Sequence, residues 1–152
     1  MPSEFALARV VHVLAVVLWI GGVGFVTTVV LPAIGRHTPP PARLAAFARF
    51  ERRFVKQARV LVALAGASGF WMAYRLGYFS EAGLAPWWLI AMIGLWCVFA
   101  AMLFVVEPLA VRRKSAGRGG SDKAFDVLTR AHRVLLAVSL LVVAAGVYGA
   151  HP

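Results

Sequence analysis

The chain has 152 residues, of which 61% are hydrophobic and 14% are charged, and its formal net charge is +10. This composition leaves no room for a separate soluble domain and is typical of an integral membrane protein. In a soluble protein the positive charge would suggest nucleic acid as a partner. In a membrane protein it is explained by topology and by contact with anionic lipid headgroups, so the expected partner is the lipid bilayer and no nucleic acid.

Four long apolar stretches follow one another along the chain, namely Val10–Ile34, Val60–Met72 with its flanks, Trp87–Val106 and Val134–Ala150. Each can supply the roughly 20 residues that a bilayer crossing requires. Their apolar runs do not alternate with polar residues, which excludes the strands of a β-barrel. The sequence therefore predicts an all-α protein of one domain, residues 1–152, folded as a four-helix transmembrane bundle with helices at about 5–34, 43–79, 86–112 and 123–150.

Basic residues are concentrated in two segments between these stretches. Each segment carries seven of the chain's 16 Lys and Arg residues: Arg36, Arg43, Arg49, Arg52, Arg53, Lys56 and Arg59 in the first, and Arg112, Arg113, Lys114, Arg118, Lys123, Arg130 and Arg133 in the second. By the positive-inside rule both segments are cytoplasmic. The sequence predicts a multi-pass protein of the bacterial inner membrane, with both termini and the connection around Tyr78–Pro86 on the periplasmic side.

The histidines are the candidate ligands for a metal or a haem. His132 and His151 are 19 residues apart on one predicted helix, hence roughly 28 Å along its axis, and cannot hold the same ion. His12 and His151 are both expected near the periplasmic end of the bundle, so they form the predicted site, with His132 as the less favoured ligand. Trp19 follows His12 by seven residues, two turns deeper on nearly the same face, and is predicted to form the apolar floor of that site.

A second polar group is expected near the cytoplasmic end. Glu107 precedes the helix-ending Pro108 and should lie near the depth of Arg59, His132 and Arg133. Because an unpaired carboxylate in this region costs several kcal/mol, an arginine partner is expected. The sequence predicts a structural ion pair between Glu107 and Arg59 or Arg133, with proton transport by Glu107 as the alternative role.

Several motifs of the first half resemble one known family. The first helix contains the run His12–Gly22, which passes through Trp19, and it ends at Leu31–Ala33; a basic, phenylalanine-rich re-entry follows at Phe47–Phe54, and the second helix passes through Ala67–Phe70. Together these segments resemble the CopD-like membrane domain and its relatives, including HemJ-type protoporphyrinogen oxidases. The second half, with Val106–Leu109 and the terminal Gly149–His151, is similar to small bacterial members of the same group.

The resemblance implies a four-helix bundle that binds haem b or copper, and it maps the ligand histidine that opens the first helix onto His12. HemJ-type proteins also use a lysine within the membrane region, whereas Lys56, Lys114 and Lys123 lie in or beside the basic segments. This departure from the pattern of the family disfavours protoporphyrinogen oxidation. The methionines Met72, Met92 and Met102 are scattered along the sequence, which disfavours a copper pathway built from soft ligands.

Three functions stay open at this point. The first is a haem b-binding redox protein that exchanges electrons with a quinone or a periplasmic partner, with its cofactor near the periplasmic end of the bundle. The second is a CopD-like protein that binds or handles copper through His12 and His151. The third is a cofactor-free component for membrane assembly or lipid binding. Whether the chain is an oxidoreductase and whether it forms a homo-oligomer are both left open by the sequence.

Overall fold

The computed structural model describes residues 2–80, 85–108 and 122–149, and these residues form helices and turns without a strand. The helices are α1 (Pro2–Phe25), α2 (Leu31–His37), α3 (Arg43–Arg75), α4 (Trp87–Ala101) and α5 (Asp122–Gly149). A π-helical turn at Val26–Val30 joins α1 to α2, and a second π-helical turn at Met102–Val106 extends α4. The chain thus forms four long helical segments, and the predicted all-α class is confirmed.

Three of these segments are long and apolar enough to cross a membrane: Ser3–His37, Trp87–Val106 and Lys123–Gly149. The helix α3 is not among them, because its first half carries the basic residues of the first charged segment. Its second half is apolar and includes some of the most buried residues of the protein, with Val62 fully buried and Ala58 1% exposed. A helix that is enclosed by others can be less apolar than one that faces lipid, since its surface meets protein instead.

The helix α3 ends in a turn that only glycine adopts easily. Gly77 has a φ of 75°, the left-handed conformation. The Tyr78 N–H donates to the Ala73 carbonyl at 3.1 Å, and the Gly77 N–H donates to the Tyr74 carbonyl at 3.0 Å. These two bonds form a Schellman motif, which satisfies carbonyls that the helix end leaves without partners.

The long helices pack side by side in a cyclic order. α1 runs antiparallel to α3 and makes its most extensive contact with it; α3 also packs against α4, α4 against α5, and α5 against α1. The helices α1 and α4 therefore lie on a diagonal. The Trp19 and Phe99 rings bridge this diagonal edge to face, with their centroids 4.7 Å apart, inside a core that also includes Val62 and Ala65.

Proline explains both π-helical turns. Pro32 and Pro108 lack the N–H that a regular helix would use, and their rings clash with the carbonyl four residues before them. In each case the residue before the proline bonds one residue further back than in an α-helix: Leu31 N–H donates to Val26 O, and Glu107 N–H donates to Met102 O. At Pro32 the wider turn lets the helix continue past the proline to His37.

Candidate functional site

A large cavity lies between α1, α3, α4 and α5, at the end of the protein where α1 begins and α4 starts at Trp87. We call this end the Trp87 end and the space the His12 cavity. Its volume is about 1080 Å³, and its walls include His12, Gly69, Met92, Trp96 and Gly146. The lining is mostly apolar with a few polar groups, which is the usual composition of a small-molecule or cofactor site.

His12 is held in one orientation by α3. Its Nδ1 lies 2.9 Å from the Ala65 carbonyl oxygen and 3.3 Å from Ser68 Oγ. A carbonyl can only accept, so Nδ1 carries the proton. Ser68 donates its own hydroxyl hydrogen to the Leu64 carbonyl at 2.6 Å, so its oxygen is free to accept from His12 as well. The imidazole Nε2 then bears the lone pair, which is the state required of a metal-binding histidine.

Gly69 lets the imidazole lie directly against the backbone of α3. A Cβ atom at this position would be 2.9 Å from His12 Cε1 and 3.1 Å from His12 Nδ1. Both distances are shorter than ordinary van der Waals contact, so any side chain here displaces the ring. Ala65, Ser68 and Gly69 together therefore fix the position of His12, with Nδ1 as the nitrogen that bonds α3.

We expect Gly69→Ala to shift His12 and weaken whatever the cavity binds, because the added methyl group overlaps the imidazole. Loss of the orienting hydrogen bond to a metal-binding histidine costs about 10- to 100-fold in affinity. Gly21→Ala is the matched control, since a Cβ at Gly21 meets nothing within 4 Å. Equal cofactor affinity in the two variants, measured by titration in detergent, would contradict this role of Gly69.

Aromatic and sulfur-containing side chains of α4 also approach glycines on the neighbouring helices. The Trp96 indole packs on Gly66 and donates from Nε1 to the Val62 carbonyl at 2.8 Å, while Met92 Sδ packs on Gly146. These contacts hold α4 against α3 and α5 and place both side chains on the cavity wall.

The Trp19 ring lies at the deep end of the cavity and is 4% exposed. Among the buried side-chain nitrogen and oxygen atoms of residues 2–80, 85–108 and 122–149, Trp19 Nε1 is the one that has no hydrogen-bond partner. A buried donor of this kind calls for an explanation, because leaving it unbonded costs about 1–3 kcal/mol. Trp19 thus carries a buried N–H, beside the Phe99 ring, that has no hydrogen-bond partner among the described residues.

The structure brings two of the predicted site residues together, since His12 and Trp19 line the same cavity. His151 lies outside the described residues, so its pairing with His12 stays a prediction. His132 lies elsewhere: its Nδ1 donates to the Leu128 carbonyl at 3.0 Å, and its ring meets the Phe47 ring edge to face at 5.5 Å. These contacts give His132 a packing role within the described part of the chain.

Sequence reasoning missed two methionines that line the cavity. Met72 from α3 and Met92 from α4 both reach it, so methionines that are scattered in the sequence share one space with His12. Arg9 also lines the cavity; it precedes His12 by three residues, which places both on the same helix face. No sequence signal pointed to the methionines, whose proximity depends on how three helices pair.

Glu107 lies away from this cavity and is paired with α3. Arg59 Nη2 donates to Glu107 Oε2 at 2.6 Å, and Arg59 Nε donates to the Leu103 carbonyl at 2.9 Å. Arg133, the other predicted partner, lines a shallow depression beside Thr27 and Pro32 instead. In the part of the chain that the structure describes, Arg59 is therefore the partner of Glu107.

The Leu103 carbonyl explains why an arginine is needed at position 59. An α-helix would pair this carbonyl with the Glu107 N–H, which donates to Met102 O, and a π-helix would pair it with the N–H that Pro108 lacks. Arg59 Nε takes the place of these donors. One guanidinium thus neutralises Glu107 and satisfies the carbonyl that Pro108 leaves without a partner.

Within residues 2–80, 85–108 and 122–149, no three His, Cys, Asp or Glu side chains group together in a way that could hold a metal ion. No protein-family model, curated protein or solved structure matches this chain.

Proposed function

We propose that this chain is a membrane redox protein that binds haem b in the His12 cavity, where His12 Nε2 would hold the iron. The observation that carries the proposal is the hydrogen bond from His12 Nδ1 to the Ala65 carbonyl, which leaves Nε2 as the unprotonated nitrogen at the wall of a large apolar cavity. The motifs that resemble the CopD-like domain, in which the corresponding histidine is a ligand, support the same assignment. Haem, when bound, supplies reversible one-electron chemistry.

The other residues of the cavity suit a haem. Its volume of about 1080 Å³ is slightly above the usual range for ligand sites, roughly 300–1,000 Å³, so the space is large enough for a bulky cofactor. Aromatic and aliphatic side chains make up most of the wall. Arg9 lies one turn nearer the Trp87 end than His12 and can pair with a carboxylate at the cavity mouth, the group that a haem propionate provides.

The proposal is tested first on the unaltered protein. We expect the protein purified in mild detergent to show a Soret band, and extraction in alkaline pyridine to identify haem b at about one per chain. A protein expressed with sufficient haem supply that carries none, and does not bind added haemin, would overturn the proposal. Metal analysis of the same sample distinguishes iron from copper.

Copper binding is the second candidate, and the placement of the methionines favours it. Met72 and Met92 line the cavity together with His12, and thioether sulfur with imidazole is a ligand set suited to Cu(I). This candidate predicts Cu(I) binding at low concentration without a porphyrin spectrum. A purified protein that binds neither haem nor copper would leave lipid binding or membrane assembly as the role of the cavity.

We further propose that all four long helical segments cross the bacterial inner membrane as a bundle, with both termini and the Trp87 end on the periplasmic side. The distribution of basic residues supports this orientation. The crossing by α3 is supported by its antiparallel packing along α1 and by its buried apolar half, although its hydropathy does not single it out. A cavity at the periplasmic end is within reach of a periplasmic partner or of a quinone in the outer leaflet.

The crossing by α3 is tested by labelling one position before the helix and one position after it. In a Cys97→Ala background we expect a cysteine at His37 to react with a membrane-impermeant maleimide only after the cells are opened, and a cysteine at Ser80 to react in spheroplasts that are intact. Two labels on the same side would show that α3 does not cross the membrane. Labels on opposite sides but in the reverse sense would invert the proposed orientation.

A further inference from the structure

We propose that Met92 is the second protein ligand that would hold the haem, from the cavity wall opposite His12. This inference rests on the proposed haem function. It adds a ligand that was not predicted from the sequence, where His151 was the expected partner of His12.

The first step is the position of the two helices. Two ligands on opposite faces of a flat macrocycle must come from opposite walls of its pocket. α1 and α4 lie on a diagonal of the helix arrangement, and the bulky Trp19 and Phe99 side chains bridge that diagonal below the cavity. Above these rings the diagonal opens into the cavity, with His12 on the α1 wall and Met92 on the α4 wall.

The second step is depth, which can be read from contacts with α3. His12 contacts α3 at Ala65 and Gly69, whereas Trp96 contacts it at Val62 and Gly66, three residues or about 4.5 Å further from the Trp87 end. Met92 precedes Trp96 by four residues on α4, which moves it about 6 Å back toward the Trp87 end. Met92 and the His12 imidazole are therefore at nearly the same depth, to within about 2 Å.

The third step is the chemistry of the side chain. Methionine has three rotatable side-chain bonds and a polarizable sulfur, so its Sδ can move from the Gly146 backbone toward the centre of the cavity at little cost. Histidine with methionine is an established ligand pair for haem iron, and thioether ligation raises the reduction potential. The pair would make this protein an acceptor of electrons from a donor of moderate potential.

The test compares Met92→Leu with Met102→Leu in the haem-loaded protein. Leucine conserves the volume of methionine but has no ligand atom. Met102 lies on the same helical segment, is 38% exposed and is not among the residues that line the cavity, so it is the matched control. We expect Met92→Leu to retain haem through His12 but to lose the sulfur-to-iron charge-transfer band of the ferric protein. Its reduction potential should fall by at least 59 mV, which corresponds to a tenfold weaker preference for the ferrous form.

Met102→Leu should leave both the spectrum and the potential as in the parent. If the parent binds haem but Met92→Leu keeps the parent spectrum and potential, Met92 is not the ligand and the inference is wrong while the proposed function stands. If His151→Ala, and not Met92→Leu, changes the axial ligation, the second ligand is His151. A parent protein without haem would refute the proposed function itself, which separates the two failures.

Discussion

Replacement of His12 by alanine should remove haem from the protein while the helices remain assembled. His12 is the histidine that lines the cavity in the described ranges of the chain. Because its Nδ1 bonds the Ala65 carbonyl, its unprotonated Nε2 is available to bind iron. Disturbing the hydrogen-bond partner of a ligand lowers affinity by about 10- to 100-fold. Removing the ligand itself should lower the affinity for haem further, so we expect at least about 100-fold weaker haem binding. Haemin titration followed by absorbance measures this effect directly.

Two other histidines are the controls for this experiment. His37→Ala, at the end of α2, and His132→Ala, whose ring contacts Phe47, both alter residues away from the cavity, so each should retain the parent affinity. Some loss of stability is expected for His132→Ala, because it gives up packing and a backbone hydrogen bond, but the haem spectrum should not change. Full haem content in His12→Ala, or haem lost only in His132→Ala, would contradict the proposed site.

The sequence was sufficient to predict the helices and one wall of the site. Long apolar runs with no alternation allow only helices in a membrane, and the seven-residue spacing of His12 and Trp19 places both on nearly one face of α1. These are local properties of a chain, because they follow from the period of the helix and not from its neighbours. They predicted correctly that the chain is all-helical, and they agree with His12 and Trp19 lining one cavity.

The opposite wall could not be predicted because it depends on rotation of the helices about their axes. Met92 lies in a helix that is apolar on every side, so no hydrophobic face indicates which residues turn inward. The same limit applies to Glu107, for which Arg59 and Arg133 were both expected at a suitable depth. Depth follows from the rise per residue, but the choice of Arg59 follows from how α3 and α4 face each other.

The π-helical turns were also outside the reach of pattern analysis. Pro108, which is expected to end a helix, follows a widened turn, and this leaves the Leu103 carbonyl to be satisfied by another part of the chain. Arg59 does so from α3. Arg59, which was expected from the sequence to form only an ion pair, thus also donates a hydrogen bond to a backbone carbonyl of the neighbouring helical segment.

Arg59→Lys should destabilise the protein although it preserves the charge. Lysine presents a single ammonium group and cannot bond Glu107 Oε2 and the Leu103 carbonyl in the fork geometry of a guanidinium. An unsatisfied carbonyl in this environment costs about 1–3 kcal/mol. Because the Arg59 and Glu107 side chains are 33% and 24% exposed, loss of the ion pair itself should cost less than the roughly 3–5 kcal/mol of a fully buried pair.

The free energy of unfolding, measured by reversible denaturation in mixed detergent, tests this dual role of Arg59. Arg52→Lys, on the exposed surface of the same helix, should change it by less than about 0.5 kcal/mol. Glu107→Gln should be destabilising but should leave the bond from Arg59 to Leu103 intact.

The decisive comparison is with Pro108→Ala, which restores a backbone N–H that can reach the Leu103 carbonyl. In that background the penalty of Arg59→Lys should shrink by at least about 0.5 kcal/mol, the size of coupling expected between groups that share a partner. An unchanged penalty would mean that Arg59 acts on Glu107 alone.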